Sequence, residues 1–478
     1  MTTQYAIDFD PSRARNVADN LIDEWGLESA LATYRGLQWM PEHADFPVLH
    51  LEDVTGIPFV DGVSGIQEYQ HRARVRADED DIFAAGTHPA KGYEAYCQQI
   101  LGLGDPDFLH AEDDDDPKAV ASACASPRTL DALRRRAADG GLVVHPYMAI
   151  EPVWKLARRI SDHTKAPVSV LGPPPPVLWV ANDKSRCSRV VSDILGDKWL
   201  VDTRRSHQPD ELARALGDIA KLCRHVGLKR TRCASAMGNI VFDAGEVCDL
   251  SRTELRAIVD EFLERTEWCG GEEVLVVEWR ETDLSPSTQL WIPPESQGLP
   301  VLEGIYEQLL DGPEKVFLGS RPSTLPEAVH QQLGRASLEI CTAFQRMGYV
   351  GRCSFDFIIT GDPDGDFDIR FTECNGRWGG TSTPMHLVDR LVNSQEGRPD
   401  YIATDYYLPD SLRGMSFAEL ADALGDTLYS QAGGEGRFIL YNVGPLREVG
   451  KFDVVSLGDD PDDARRGLDE ILPRRLGI

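Results

Sequence analysis

A short strand that carries a carboxylate on its apolar face constrains this chain more than any other feature. Every second residue from 367 to 371 is apolar, and at period two Glu373 and Asn375 continue the same face. A buried carboxylate without a partner is strongly unfavourable, so something must compensate its charge. A hard cation held by the carboxylate and the amide oxygen is one candidate, and an ion pair with Arg370 or Arg377 is the other.

A second strand with a single acid lies just upstream. The segment 352–359 reads Arg-Cys-Ser-Phe-Asp-Phe-Ile-Ile and carries Asp356 in its middle. Two strands then offer Asp356, Glu373 and Asn375 together. Mg²⁺ usually takes a few protein oxygens and leaves its other positions to water and substrate phosphates. The trio therefore favours a magnesium site that holds nucleotide phosphates, with a structural ion pair as the alternative.

An Asp on one strand, followed by Glu-x-Asn-x-Arg and a glycine-rich turn on the next, resembles the metal and phosphate end of ATP-grasp ligases. The resemblance implies that Asp356, Glu373 and Asn375 are magnesium ligands. It also implies that Arg377 contacts the transferred phosphate of ATP.

The segment 227–242 predicts a strand, a loop of small residues and a second strand. The loop has little side chain to keep a phosphate from its backbone N–H groups, and a lysine precedes it. An ordinary hairpin with a tight turn is the alternative. The element resembles the lysine and flexible loop of ATP-grasp enzymes, which implies nucleotide contacts from Lys229, Ser235, Met237 and Gly238.

Two more nucleotide positions follow from the same resemblance. Asn182-Asp-Lys-Ser185 is similar to the Asn-Asp-Lys that opens the grasp module, which implies a nucleotide contact from Lys184. A surface residue at a helix start is the alternative. The apolar run from Val274 predicts a buried strand that ends in an acid. In the family this strand leads to the hinge beside the adenine, where Glu278 and Trp279 stand, although a structural glutamate is equally open.

The length of 478 residues is too great for one hydrophobic core. Gly172-Pro-Pro-Pro-Pro176 predicts a stiff polyproline linker, and 177–181 reads as a strand after it. Amphipathic patterns predict helices over 185–195, 209–226 and 327–347, and a capping box starts another helix at Ser251. The fold class is α/β (α+β), in three parts: a mixed α/β N-terminal domain 1–176, a two-lobed module 177–398 divided into 177–275 and 276–398 with the metal site in the second lobe, and a small α+β cap 399–478.

This order of parts looks like the peptide ligases of the pheganomycin type, in which a pre-ATP-grasp domain precedes the grasp module. Three stretches carry the match: Tyr93-Glu-Ala-Tyr96 with Leu101-Gly-Leu-Gly104, Asn182 to Ser185, and Glu373-Cys-Asn-Gly-Arg-Trp-Gly-Gly-Thr381. The resemblance implies a cytoplasmic enzyme of natural product biosynthesis that uses ATP and Mg²⁺ to phosphorylate a carboxylate. An amino acid or peptide amine then attacks the acyl phosphate and gives an amide, ADP and phosphate, and a homodimer is a possible assembly.

Two other functions stay open at this point. One is a ligase or carboxylase that acts on a small amine or on bicarbonate. The other is a grasp-fold protein that binds nucleotide without turnover. The presence of all three metal-ligand positions argues against the second.

We also expect a substrate role for Arg352, which lies four residues before Asp356 and hence on the same side of its strand. A guanidinium group suits a bidentate grip on a carboxylate or an acyl phosphate. The hypothesis is that Arg352 binds the carboxylate end of the amine acceptor. Pairing with an acid is the alternative in so acidic a chain.

The composition limits the partners. A net charge of −29 argues against nucleic acid and anionic membranes, which both need clustered positive charge. The chain has no apolar run long enough to span a bilayer, and its first residues lack the features of a signal peptide, so we expect it in the cytoplasm. Its ten cysteines occur without a Cys-x-x-Cys pair and are expected to be reduced core residues.

Overall fold

The computed structural model describes residues 7–111, 116–233, 238–312, 315–392 and 399–478. In this part of the chain, three β-sheets and the helices between them form a mixed α/β architecture, which confirms the predicted fold class. Apolar side chains cluster in several cores along the sheets rather than in one.

The first sheet is parallel and comes from the N-terminal part. Its strands are β1 (Val48–Leu51), β2 (Ile82–Ala85), β3 (Asp107–His110), β4 (Leu142–Pro146) and β5 (Val168–Val170). They lie in the order β3-β2-β1-β4-β5, so β2 and β3 are added on one side of β1 and β4 and β5 on the other. The strand order therefore reverses between β1 and β4. The crevice at the carboxyl ends of strands beside such a reversal is the usual ligand position in open α/β sheets. The helices of this part are Pro11–Trp25, Leu27–Leu31, Tyr93–Ala95, Val120–Cys124, Pro127–Ala138 and Glu151–Ser161.

The expected linker and strand after it are wrong, because Pro175–Asn182 is a helix. Proline is well tolerated in the first helical turn, where its missing N–H would have no partner in any case. The helix is buried on several sides, with Leu178 in one core and Val177 and Val180 in another. That burial on all sides explains the continuous apolar run that resembled a strand.

The second sheet is antiparallel. Its strands are β6 (Thr203–Ser206), β7 (His225–Arg230), β8 (Asn239–Asp243) and β9 (Val274–Trp279), in the order β6-β9-β7-β8. The expected pair of strands around 227–242 and the capping box at Ser251 are confirmed. The helix predicted over 209–226 ends at Ala220, and Leu222 is exposed beyond it. Helices here are Lys184–Leu195, Pro209–Ala220, Ala244–Val247 and Arg252–Arg265.

The third sheet has eight strands and carries most of the candidate site. The strands are β10 (Pro286–Ile292), β11 (Val301–Asp311), β12 (Val316–Pro322), β13 (Gly351–Gly361), β14 (Phe367–Asn375), β15 (Asp400–Tyr407), β16 (Phe438–Tyr441) and β17 (Lys451–Gly458). Their order is β14-β13-β10-β11-β12-β15-β17-β16. The helices around it are Glu327–Arg346, Ser382–Leu391, Phe417–Leu424, Leu446–Val449, Pro461–Arg466 and Leu472–Leu476.

Strands from both sides of the predicted boundary at 398 belong to this one sheet. They join at β12 and β15, where Gly319 pairs with Thr404 and Ser320 with Ala403. The predicted domain limits stay predictions, but the strands that carry Asp356 and Glu373 belong to the same sheet as the C-terminal strands.

No helix among the described residues is both long and apolar enough to cross a membrane. All ten cysteines are free thiols, and six of them are buried.

Candidate active site

A β-bulge decides which face of β14 carries the polar residues. Asp356 pairs with Glu373 but its neighbour Phe357 pairs with Phe371, so Thr372 is an extra residue on β14. The bulge turns Glu373 and Asn375 away from the face of Phe371 and places Cys374 in the core instead. The expectation that both polar side chains continue the apolar face is therefore wrong. They lie on the opposite face, beside Asp356.

The two acids stand directly opposite each other on neighbouring strands. Lys184, at the start of the helix Lys184–Leu195, reaches across with its Nζ 3.0 Å from Glu373 Oε2. Asp356 accepts hydrogen bonds from Ser287 and from Asn375, whose Nδ2 lies 2.9 Å from Asp356 Oδ2. The lysine compensates only one of the two carboxylates.

The electrostatics separate the two acids. Burial raises the pKa of Asp356 to about 7, and the charge of Glu373 adds to the effect. Burial would also raise the pKa of Glu373, but Lys184 and Lys229 outweigh it and hold that pKa below its usual value. The two lysines thus favour the ionised form of Glu373, whereas burial disfavours the ionised form of Asp356.

Asn375 connects the acids to Arg377. Arg377 donates from Nη2 to Asn375 Oδ1 at 2.8 Å and from Nη1 to the Tyr147 hydroxyl at 2.9 Å. Gly376 donates its backbone N–H to Asn182 Oδ1 at 3.1 Å, which fixes the turn after β14. Tyr147 directly follows β4, so the N-terminal sheet helps to position Arg377.

A small cavity of 140 Å³ lies on the side of the second sheet. Lys229 lies in it with its Nζ 4.5 Å from the centre of the Trp279 ring, and burial lowers the pKa of Lys229 to about 8. Glu278 pairs with Arg280 at 3.0 Å and also lines the cavity. The structure thus gathers the predicted nucleotide residues Lys184, Lys229, Glu278 and Trp279 around one space.

Of the other residues predicted for the nucleotide loop, the structure describes Gly238. Gly238 ends the turn before β8 and accepts a hydrogen bond from Arg230 N at 2.9 Å. Ser235 and Met237 lie outside the described residues.

A larger cleft of 520 Å³ lies on the other side of the two acids. Asp356 and Glu373 line both the cleft and the small cavity. The 55–66 region of the N-terminal part supplies an apolar wall that includes Ile57 and Val60, and β15 and β17 close the far end. Together the two spaces fall in the range of about 300–1,000 Å³ that is usual for ligand sites.

Arg352 lies on the same side of β13 as Asp356, as expected, but it does not line the cleft. Its guanidinium pairs with Glu303 through both outer nitrogens and lies 4.7 Å from the centre of the Trp378 ring. The structure thus favours the alternative of an arginine paired with an acid.

Sequence reasoning missed several polar groups at the site. Ser287 on β10, Asn182 and Tyr147 all contact the predicted residues. The Asn-Asp-Lys motif contains Asn182 and could have identified it. Ser287 and Tyr147 carry no local signal, because strand pairing and domain packing alone bring them to the site.

The donor set suits a hard cation. Two opposed carboxylates, one with a raised pKa, and a nearby amide are the chemistry that Mg²⁺ prefers. Asn375 donates to Asp356 and accepts one hydrogen bond from Arg377, so the second lone pair of its Oδ1 remains for a cation. Among the described residues, no group of three or more His, Cys, Asp or Glu side chains could hold a metal, and the predicted trio contains only two carboxylates.

The family described as the pre ATP-grasp domain matches residues 70–161. No curated protein matches the chain. Similar solved structures include N5-carboxyaminoimidazole synthase from Aspergillus clavatus in complex with ADP and aminoimidazole ribonucleotide, with 13% identity over 91% of this chain and 99% of that one and a TM-score of 0.52. N5-carboxyaminoimidazole ribonucleotide synthetase from Thermus thermophilus has 16% identity over 90% and 98%, with a TM-score of 0.50.

Biotin carboxylase from Campylobacter jejuni, solved as a β-γ-ATP complex, has 14% identity over 87% of this chain and 88% of that one, with a TM-score of 0.50. At these identities the likeness shows the fold alone. Together with the domain match, it shows that this chain has the fold of these enzymes.

Proposed function

We propose that this chain is an ATP-dependent ligase of the pheganomycin type, which joins a carboxylate to the amine of an amino acid or peptide. The observation that carries the proposal is the position of Asp356 and Glu373, which line both the small cavity and the large cleft. A phosphoryl group transferred from a nucleotide in one space to a substrate in the other must pass these carboxylates. The fold and the domain match support the same assignment.

The proposed reaction has two steps. A carboxylate oxygen of the donor substrate attacks the γ-phosphorus of ATP, and ADP leaves with the electrons of the broken bond. The acceptor nitrogen then attacks the acyl carbon, phosphate leaves, and the amine loses a proton. Such chemistry asks the protein mainly to position the groups and to stabilise the charge on the phosphates.

The residues for that task are present. Lys184 and Lys229 extend toward the acids from the side of the small cavity, and Arg377 does so from the side of the cleft. Asp356, Glu373 and Asn375 would hold Mg²⁺, which neutralises phosphate charge when it is bound. The hydrogen bonds from Arg377 to Asn375 and Tyr147 fix the guanidinium, so little reorganisation is needed when phosphate binds.

The cleft favours a substrate larger than bicarbonate. Its volume of 520 Å³ and its apolar wall suit amino acid side chains.

The decisive experiment combines the protein with ATP, Mg²⁺, hydroxylamine and a panel of amino acids and short peptides as carboxylate donors. We expect ADP and a hydroxamate in equal amounts for the accepted donor. AMP and pyrophosphate in place of ADP would exclude the acyl-phosphate route. ADP release with bicarbonate alone would instead favour a carboxylase, and binding of ATP without any release would favour a protein that binds nucleotide without turnover.

A further inference from the structure

An unusual helix brings polar groups from the N-terminal part into the cleft. Ile66–Arg76 is a 3₁₀ helix of 11 residues, a length seldom reached by this kind of helix. Because it has three residues per turn, Ile66, Tyr69 and Arg72 share one face. All three line the cleft.

Arg72 is buried with unused hydrogen-bond donors. It is 7% exposed, and its Nε lies 3.2 Å from Glu52 Oε1. Among the described residues, its buried Nε has no hydrogen-bond partner of good geometry, and its outer guanidinium nitrogens donate to no side chain or backbone oxygen. The Tyr69 and Tyr147 rings hold the guanidinium carbon at 4.7 and 5.2 Å from their centres. A buried guanidinium that is fixed in place but lacks hydrogen-bond acceptors is prepared for an anion.

The charges around Arg72 also favour an anion. Glu52 acts on both Arg72 and Arg76, and Asp453, which already contacts Lys451, acts on Arg72 as well. Arg76 donates to the backbone oxygens of Leu51 and Pro146 at 3.3 and 3.4 Å, and burial lowers its pKa to about 10. These oxygens end β1 and β4, so the excess positive charge lies at the reversal point of the parallel sheet.

Tyr147 connects this cluster to the reaction centre. Its ring contacts Arg72, and its hydroxyl accepts the hydrogen bond from Arg377. The donor carboxylate must meet the phosphate near Arg377. Arg72 contacts the ring of the same tyrosine and is left for a second anionic group.

The two lysines that line the cleft are already paired with acids. Lys315 pairs with Asp283 at 3.4 Å. Lys451 is 1% exposed, and its Nζ lies 2.7 Å from Asp405 Oδ2 and 3.4 Å from Asp453 Oδ1. It also donates to the Tyr69 hydroxyl. Two acids and a phenol already surround this lysine.

We propose that Arg72 binds the carboxylate of the amine acceptor, an α-amino acid or the C-terminus of a short peptide. The inference rests on the proposed ligase function and adds the residue that recognises the carboxylate of the acceptor. The carboxylate bonds to the outer edge of the guanidinium in bidentate form, while Glu52 stays at Nε. The acceptor amine is then directed toward the acyl phosphate beside Arg377.

The test compares acceptors that differ only in this carboxylate. Glycine, L-alanine, L-phenylalanine, glycylglycine and L-alanyl-L-alanine are each assayed against their C-terminal amides, with the donor found by hydroxamate formation. For the wild type we expect kcat/KM for the acid to exceed that for the amide about tenfold or more, because a charge-assisted bidentate pair is lost in the amide. In Arg72→Met the ratio should fall to about one through a higher KM for the acid. Hydroxylamine has no carboxylate, so hydroxamate formation should fall much less than amide formation.

Two further variants keep the result decisive. Glu52→Gln with Arg72→Met removes both partners of the buried pair, and it replaces the single variant if unpaired Glu52 prevents folding. Arg352→Met is the control variant, because Arg352 is another arginine that pairs with a glutamate near the site. A wild type without preference for the acid, or a preference retained in both Arg72 variants, overturns the inference while the ligase function stands. A preference lost only in Arg352→Met would assign the carboxylate to Arg352, and the absence of any ADP release from the wild type would remove the proposed function itself.

Discussion

The two ends of the large cleft contain similar residues and differ in how these are paired. At one end Asp356 faces Glu373, and at the other Asp405 lies beside Asp453. Burial and the neighbouring acid raise the pKa of Asp356 and of Asp405 to about 7. Counted across the sheet, Asp356 and Asp405 stand four strands apart, roughly 20 Å at the usual strand spacing.

The difference lies in the lysine. At the far end Lys451 contacts both acids and is almost completely covered, so each acid there has a cationic partner within the protein. At the end that contains Asp356, Lys184 pairs with Glu373 alone, and Asp356 forms no ion pair with any described residue. A buried pair of acids therefore indicates a ligand site only where the protein itself leaves the charge uncompensated.

The largest effect expected from this comparison is on Glu373. Glu373→Gln keeps the shape but removes charge from the group that should stabilise phosphoryl transfer, so we expect ADP release to fall on the order of 100-fold or more. Asp453→Asn is the matched variant at the far end and should change turnover only a few-fold. Steady-state ADP release at saturating Mg²⁺ measures both. Near-normal turnover of Glu373→Gln, with an unchanged magnesium requirement, would make Glu373 a structural partner of Lys184.

The second prediction concerns Gly319, which lies where β12 pairs with β15, between the two ends of the cleft. An added Cβ would overlap the carbonyl oxygen of Ala403 and lie 2.8 Å from Thr404 Cα, at the place where β12 pairs with β15. Gly319→Ala should lower the free energy of unfolding by about 1–3 kcal/mol because of this overpacking.

Gly271→Ala is the control for Gly319, since nothing lies within 4 Å of the added Cβ there. Urea unfolding followed by circular dichroism would measure both variants. Equal stability of the two variants would show that the β12–β15 contact is loose enough to absorb a methyl group.

A smaller effect on the reaction rate is expected for Tyr147. Tyr147→Phe removes the hydroxyl that accepts a hydrogen bond from Arg377 and keeps the ring beside Arg72. Loss of one such bond should lower the rate of hydroxamate formation several-fold, as expected for about 0.5–1.5 kcal/mol. The preference for acid over amide acceptors should remain, because the ring is intact. An unchanged hydroxamate rate would show that Asn375 and the Trp378 carbonyl suffice to hold Arg377.

The smallest effect concerns the pH dependence of stability at the far end. The pKa of Asp405 in the folded protein, about 7, is above the ordinary value of 3.8, chiefly because of burial and next because of Asp453. The folded state thus holds the proton more tightly, and its stability falls as pH rises from about 4 through 7. Asp405→Asn removes this titration, so its unfolding free energy should differ less between pH 5 and pH 8 than that of the wild type.

The expected difference for Asp405 is on the order of 1 kcal/mol, because Lys451 opposes the shift and the side chain is partly exposed to solvent. Chemical unfolding at the two pH values would measure it. The same pH dependence in both proteins would show that another group titrates in that range.

The sequence by itself determined the residues that lie close together in the chain or belong to one strand pair. Four such features could be predicted from the sequence: the motif from Glu373 to Thr381, the acid on the preceding strand, the hairpin after Lys229 and the capping box at Ser251. Such features depend on periodicity and on local hydrogen bonds, which a short segment specifies alone. The pre-ATP-grasp part was recognised only from its order in the chain and a loose match.

Tertiary structure alone decided the face of Glu373, the helix Pro175–Asn182 and the far end of the cleft. The bulge at Thr372 arises from pairing with β13, and one extra residue in a strand reverses the face of every residue after it. A continuous apolar run fits a buried helix as well as a strand, so its neighbours made the choice. Arg72, Glu52 and Lys451 carry no shared motif, because only the packing of the 3₁₀ helix against β1, β4 and β17 brings their charges together.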